Sequence, residues 1–124
     1  MKTKSSKVLS SFISASIGFA AFTVIFLVPK AYGGNEEVLS AMDRAYASSE
    51  DEDHRGAIRH TNKALKLLRE MGPEMLESDF AMYMYDVRAY SKYWLNDNKG
   101  ACKDWQKVYS LGDKDAAEWI EEVC

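Results

Sequence analysis

The side chains in this 124-residue chain that could do chemistry are few: two histidines, two cysteines, a set of methionines and one acidic run. His54 and His60 are six positions apart, so on a helix they do not share the i, i+4 face that a two-histidine metal site uses. Neither has a convincing acid partner or nucleophile. Asp51-Glu52-Asp53, next to Glu50, lacks the ligand spacing and central glycine of a calcium loop, and reads as a solvated turn that supplies a helix N-cap. Met71, Met75, Met82 and Met84 suggest soft-metal binding, but Met82 and Met84 point in different directions on a helix, and methionine is a common core filler. Cys102 and Cys124 have no C-x-x-C spacing. No phosphate loop, dinucleotide fingerprint or nucleophile elbow is present. The expectation is a protein that is not an enzyme, with no catalytic residue, no metal and no cofactor.

The elements that carry these residues are clearest in the last third. Ala89, Tyr93, Leu95, then Ala101, Trp105 and Val108 recur at helical spacing. Asn96-Asp97-Asn98 breaks the pattern, and Gly112-Asp113 breaks it again. Gly112 suits the left-handed position after a helix, and Asp113 suits the N-cap of the next. Three consecutive helices joined by tight turns follow.

Upstream, Asn35 can cap a helix whose first turn carries Glu36 and Glu37 and whose apolar positions are Val38, Leu39, Met42, Ala45 and Tyr46. The polar run from Ser48 to Asp53 interrupts it. A second helix runs from about His54 to Met71, with Ala57, Ile58, Ala64, Leu65 and Leu68 on one face, and Gly72-Pro73 stops it. A third helix opens at Pro73 or at Ser78-Asp79 and reaches Trp94 or Leu95. No stretch alternates with a strand period, so the class is all-α.

Residues 1–33 read differently. Lys2, Lys4 and Lys7 precede an uncharged run from Val8 to Pro29, followed by Lys30-Ala31-Tyr32-Gly33. A basic start, an apolar middle and small residues at alternate positions make a secretory signal with cleavage before Gly34. The same run, roughly 33 Å as a helix, is long enough for an uncleaved membrane anchor. Both readings place the remainder outside the cytoplasm (periplasm, lumen or extracellular space), free or anchored. Residues 34–124 then form the domain. All 19 acidic residues lie in it, against 12 of the 16 basic ones, a net charge of −7. Such a domain has no electrostatic case for nucleic acid or anionic lipid.

Cys102 falls in the first turn of one expected helix and Cys124 at the end of the last. If those two helices run antiparallel in an exported protein, the pair is most simply a disulfide, contributing about 3 kcal/mol through the unfolded chain. The competing reading is a buried free Cys102 and an exposed Cys124.

Two segments look alike: Asp51 to Leu65 and Asn96 to Tyr109. They align on Gly56-Ala57 with Gly100-Ala101 and on Lys63-Ala64 with Lys107-Val108. A polar turn, then Gly-Ala, then a small apolar residue two turns on resembles the second helix of a tetratricopeptide repeat. Ala89, Ser91 and Leu95-Asn96-Asp97 fall where that family places small residues and a Leu-Gly-Asp turn. Thr61 departs from it, standing where a large aromatic is usual, and Ala57 and Ala101 are 44 residues apart against a usual period of about 34. The resemblance implies antiparallel helix pairs, about five helices in all, with units at about 35–71 and 74–111 and a terminal capping helix at 113–124. It also implies a concave face built from the first helix of each pair. On that face Leu39, Met42 and Tyr46 would stand in the first unit, and Tyr83, Asp86, Tyr90, Tyr93 and Trp94 in the second. Large amphipathic rings around one carboxylate suit recognition of a peptide, and the competing reading of such periodic rings is burial in the core. The function implied is an exported scaffold that binds a protein or peptide. The alternative is a membrane-anchored structural protein that associates with itself.

Overall fold

The computed structural model describes residues 35–124, and these form five α-helices and one short 3-10 turn with no strand among them. Residues 1–33, expected to be a signal or an anchor, lie outside the described residues. The helices are α1 (Asn35–Glu50), α2 (His54–Met71), α3 (Asp79–Trp94), α4 (Asn98–Ser110) and α5 (Ala116–Val123), with the 3-10 turn at Pro73–Glu77. None of the described helices is long and apolar enough to cross a membrane.

One turn chemistry recurs three times. Each of α1, α3 and α4 ends with a residue at positive φ followed by aspartate: Glu52 (60°) and Asp53, Asn96 (64°) and Asp97, Gly112 (119°) and Asp113. The aspartate N–H donates back to the carbonyl five residues before it in the closing turn: Asp53 to Ser48 at 2.8 Å, Asp97 to Lys92 at 2.8 Å, Asp113 to Val108 at 3.3 Å. These are Schellman closures, which satisfy carbonyls that the helix end leaves open. In the first two, the same aspartate caps the next helix, Asp53 Oδ1 accepting from the Gly56 N–H and Asp97 Oδ1 from the Gly100 N–H, both at 2.9 Å.

The glycines belong to this device. A Cβ at Gly56 would stand 2.1 Å from Asp53 Oδ2, and one at Gly100 2.3 Å from Asp97 Oδ2. The third turn has Ala116 at the corresponding place, and there the expected cap is not made. Asp113 Oδ1 accepts instead from the Asp115 N–H at 3.0 Å, and α5 begins at Ala116 rather than directly after Asp113. The first helix also runs through Ser48 and Ser49 to Glu50, because Ser49 is buried at 5% exposure. Of the two openings expected for the third helix, Ser78-Asp79 after a short connector is the one that occurs. Pro73 starts the 3-10 turn, and Ser78 caps α3 by accepting from the Ala81 N–H.

The hairpins run antiparallel. Arg88 and Asp104, equally spaced on either side of Asn96, meet at 2.7 Å across α3 and α4, and Glu37 of α1 meets Lys63 of α2 at 3.5 Å. Successive helices pack in order, and α1 also touches α3. Alanines sit at the helix crossings, where Ala45, Ala57, Ala64, Ala81, Ala89 and Ala101 are all at 0% exposure. A small side chain there lets backbones approach closely enough for larger neighbours to interlock. Leu68, Met84, Val87 and Val108 fill the space between, each contributing about 1.5–3 kcal/mol by leaving water. Met42 and Met82 join them in the core.

The last helix is held by rings and by a covalent bond. Trp119 of α5 stacks on Trp105 of α4, with centroids 4.4 Å apart, and Tyr93 of α3 meets both at 5.6–5.8 Å. The Tyr93 hydroxyl donates to Glu122 Oε1 at 2.6 Å. Cys102 and Cys124 form a disulfide with Cα atoms 5.4 Å apart, as antiparallel packing of α4 and α5 requires. A disulfide is compatible with an exported location.

Candidate binding face

The expected stripe divides in two when the helices pack. Met42, Tyr83, Asp86 and Tyr93 are buried at 3–8% exposure, so these four belong to the core and present no groove surface. Their registers point α3 towards α1 on one side and α4 on the other, and a residue shared between two partners has no side left for solvent. Burial accordingly pushes the Tyr83 hydroxyl well above the usual range, with Tyr46, Asp86, Glu50 and Asp43 adding to it. Leu39, Tyr46, Tyr90 and Trp94 are half-buried, each with part of the side chain in water.

Tyr90 and Trp94 are one turn apart on α3, and their ring centroids are 6.1 Å apart in an edge-on arrangement. His54, the first residue of α2, completes a triangle with them. Its centroid is 6.0 Å from Tyr90, edge-on, and 6.1 Å from Trp94, nearly parallel at 7°. The Asp53 cap sets this position, because it fixes where α2 starts and so where His54 leaves the turn. In the sequence His54 has no partner within reach along its own helix. Its ring neighbours come from another hairpin.

Three exposed carboxylates act on the tyrosines of this region, two of them on Tyr90. Glu50, at the end of α1, acts on Tyr46, Tyr83 and Tyr90, and Glu52 in the turn acts on Tyr90. Asp43, two turns before Glu50 on α1, acts on Tyr83. The Tyr46 hydroxyl is raised first by burial and then by Glu50. Tyr90 is raised by burial, opposed by a hydrogen bond with Trp94, and raised further by Glu52 and Glu50. Asp43, Glu50 and Glu52 are all exposed, and among the described residues none of them forms an ion pair with a lysine or arginine. The face therefore combines half-exposed rings with negative charge that has no ion-pair partner among the described residues.

The strongest charged cluster elsewhere is structural in its geometry. Asp104, 4% exposed, accepts from Arg88 Nε at 2.8 Å and Nη2 at 2.7 Å, and Lys92 Nζ stands 2.9 Å from its Oδ2. Arg88 Nη1 also donates to Asn62 Oδ1 at 2.8 Å, so one guanidinium ties α3 to both α2 and α4. Nothing in the i, i+4 pattern of either helix marks this cluster, because its members meet only across the hairpin. His60 is half-buried, its pKa lowered by burial and then by Arg59 and Arg44. Among the described residues no group of three or more His, Cys, Asp or Glu is placed to hold a metal ion. Thr61, the departure noted above, is fully buried and donates to the Ile58 carbonyl at 2.8 Å.

Comparison with family models, with curated proteins and with solved structures finds no match to this chain.

Proposed function

We propose that this chain is an exported, tetratricopeptide-like scaffold that engages a protein or extended peptide and has no catalysis of its own. One observation carries the reading: Tyr90, Trp94 and His54 meet in one ring cluster, and these three and Tyr46 are each only half-buried. Of the other large rings of α3 to α5, Tyr83, Tyr93, Trp105 and Trp119 are consumed by the core, Phe80 is half-buried, and Tyr85 and Tyr109 keep some exposure but already have a cation at the ring, Arg88 and Lys114 respectively. Rings that are rigid, amphipathic and incompletely covered are the usual anchors of recognition surfaces.

The repeat reading has its own support. The segments that align on Gly56-Ala57 and Gly100-Ala101 build the same closure, the same aspartate cap and the same fully buried alanine. The contact of α1 with α3 is the one that stacked helix pairs need. The disulfide and the basic-then-apolar N-terminus support export.

The test is a peptide-array binding screen with the wild-type protein and a Tyr90→Ala/Trp94→Ala variant, each first checked for native helix content. Binding by the wild type and its loss in the variant is the expected result. Equal binding by both would refute this face as the binding surface. Intact mass from the producing cells reads the export half: loss of residues 1–33 with a 2 Da deficit on the non-reduced protein is expected for one disulfide.

A further inference from the structure

We infer that the partner segment recognised by this face is cationic: an exposed stretch of protein or peptide carrying lysine or arginine. The inference rests on the scaffold reading above and names the chemistry of its partner.

The first ground is charge complementarity at the face. Glu52 stands in the turn two residues before His54, whose ring lies 6.0 Å from Tyr90, and Glu50 ends α1 one turn after Tyr46; both carboxylates act on the Tyr90 hydroxyl. Both carboxylates are exposed and lack a lysine or arginine partner among the described residues. A guanidinium or ammonium arriving there gains a carboxylate without having to break an existing pair.

The second ground is the arrangement of the rings. Tyr90 and Trp94 meet edge-on at 6.1 Å, which turns their planes in different directions, and Trp94 is part-exposed. A cation over the face of either ring is attracted by its quadrupole, most strongly with tryptophan. These rings and the exposed carboxylates of the neighbouring turn thus favour a positive side chain over an apolar or acidic one. The third ground is the charge of the whole domain. With a net −7 beyond residue 33, two copies brought together through this acidic face would repel. A cationic partner would instead be drawn in by the field. A second copy is therefore the less favoured occupant.

The experiment uses the full chain as recovered from its producing cells and three short peptides of equal length. One carries Arg and Lys, one has Gln at those positions, and one has Glu there. Binding is read from tryptophan fluorescence and by calorimetry at two salt concentrations. The variants are Glu50→Gln/Glu52→Gln and Tyr90→Ala/Trp94→Ala, each verified by circular dichroism. The cationic peptide should bind best, should weaken several-fold on raising salt from low to physiological strength, and should lose roughly five- to tenfold in affinity with the carboxylate variant. The ring variant should cost a further threefold or more.

If the Gln peptide binds as well as the cationic one, and the carboxylate variant leaves both unchanged, the charge inference is overturned while the scaffold reading stands. If no peptide binds, both fail. A concentration-dependent dimer that the cationic peptide does not disrupt, and that the ring variant abolishes, would overturn the inference in favour of a second copy.

Discussion

The indole N–H of Trp105 donates to Asp86 Oδ1 at 3.0 Å, across the buried interface of α3 and α4, while Asp86 Oδ2 has no hydrogen-bond partner among the described residues. One lone tryptophan donor does not replace the water that a carboxylate loses on burial. Burial therefore raises the Asp86 pKa to about 7, the Trp105 hydrogen bond opposing and the Asp113 charge adding.

The consequence is a stability profile of unusual sign for a carboxylate. The folded pKa lies above the unfolded one, so the folded state holds the proton more tightly between them. The contribution is fully present below about pH 4, and is lost as pH rises through the folded value of about 7. Thermal or urea melts from pH 4 to 8 should show this loss. Asp86→Asn, which keeps an acceptor for Trp105 and carries no charge, should flatten the profile and gain about 1–3 kcal/mol at pH 8. An unchanged profile in that variant would assign the pH dependence to another group.

Asp104 is the opposite case: a buried carboxylate with its cations in place. Arg88 grips both its oxygens, and Lys92 adds a third contact at 2.9 Å. Asp104→Ala should cost about 3–5 kcal/mol, because Arg88 and Lys92 are then left partly buried without their counter-ion. Lys66→Ala, which removes an exposed partner of Glu70, should cost less than about 1 kcal/mol. Chemical denaturation of the two variants compares them directly, and equal losses would contradict the assigned role of burial.

The C-terminal helix should detach in a graded way. Eight residues are too few for a stable isolated helix, so α5 depends on Trp119 and on the Cys102–Cys124 bond. Reduction should lower stability by about 3 kcal/mol, and Trp119→Ala by about 3–5 kcal/mol. Combining them should cost less than the sum, because both release the same helix. Hydrogen exchange should show α5 amides losing protection while α1 and α2 keep theirs. Uniform loss across all five helices would contradict separate release.

Gly56→Ala and Gly100→Ala should destabilise by about 1 kcal/mol, against the usual gain for alanine in a helix. The new Cβ displaces the capping carboxylates of Asp53 and Asp97. In an Asp53→Ala background the cap is already gone, so Gly56→Ala should there become stabilising. That reversal of sign, read from denaturant midpoints, is the measurement, and its absence would disprove the steric coupling.

Much of the local structure was legible in the order of residues, because its causes are local. A turn ending in aspartate followed three residues later by glycine states both where one helix closes and where the next begins, and Asp53-Gly56 and Asp97-Gly100 were both readable. The third turn lacks that glycine, which is why the start of α5 moved to Ala116. The cysteine pair was legible too, since two helices joined by a short turn must bring the start of one beside the end of the other.

The division of the aromatic residues was settled only by tertiary packing. Tyr83, Asp86, Tyr90 and Trp94 make one stripe along α3 by spacing, and the sequence treats them alike. The structure does not, since α1 and α4 cover Tyr83 and Asp86 but leave Tyr90 and Trp94 part-exposed. The Trp105–Trp119 stack, the hold of Arg88 on Asp104, and the meeting of His54 with Trp94 likewise join residues on different helices. Periodicity fixes which residues of one helix share a side, but only the neighbouring helices determine which part of that side remains in water.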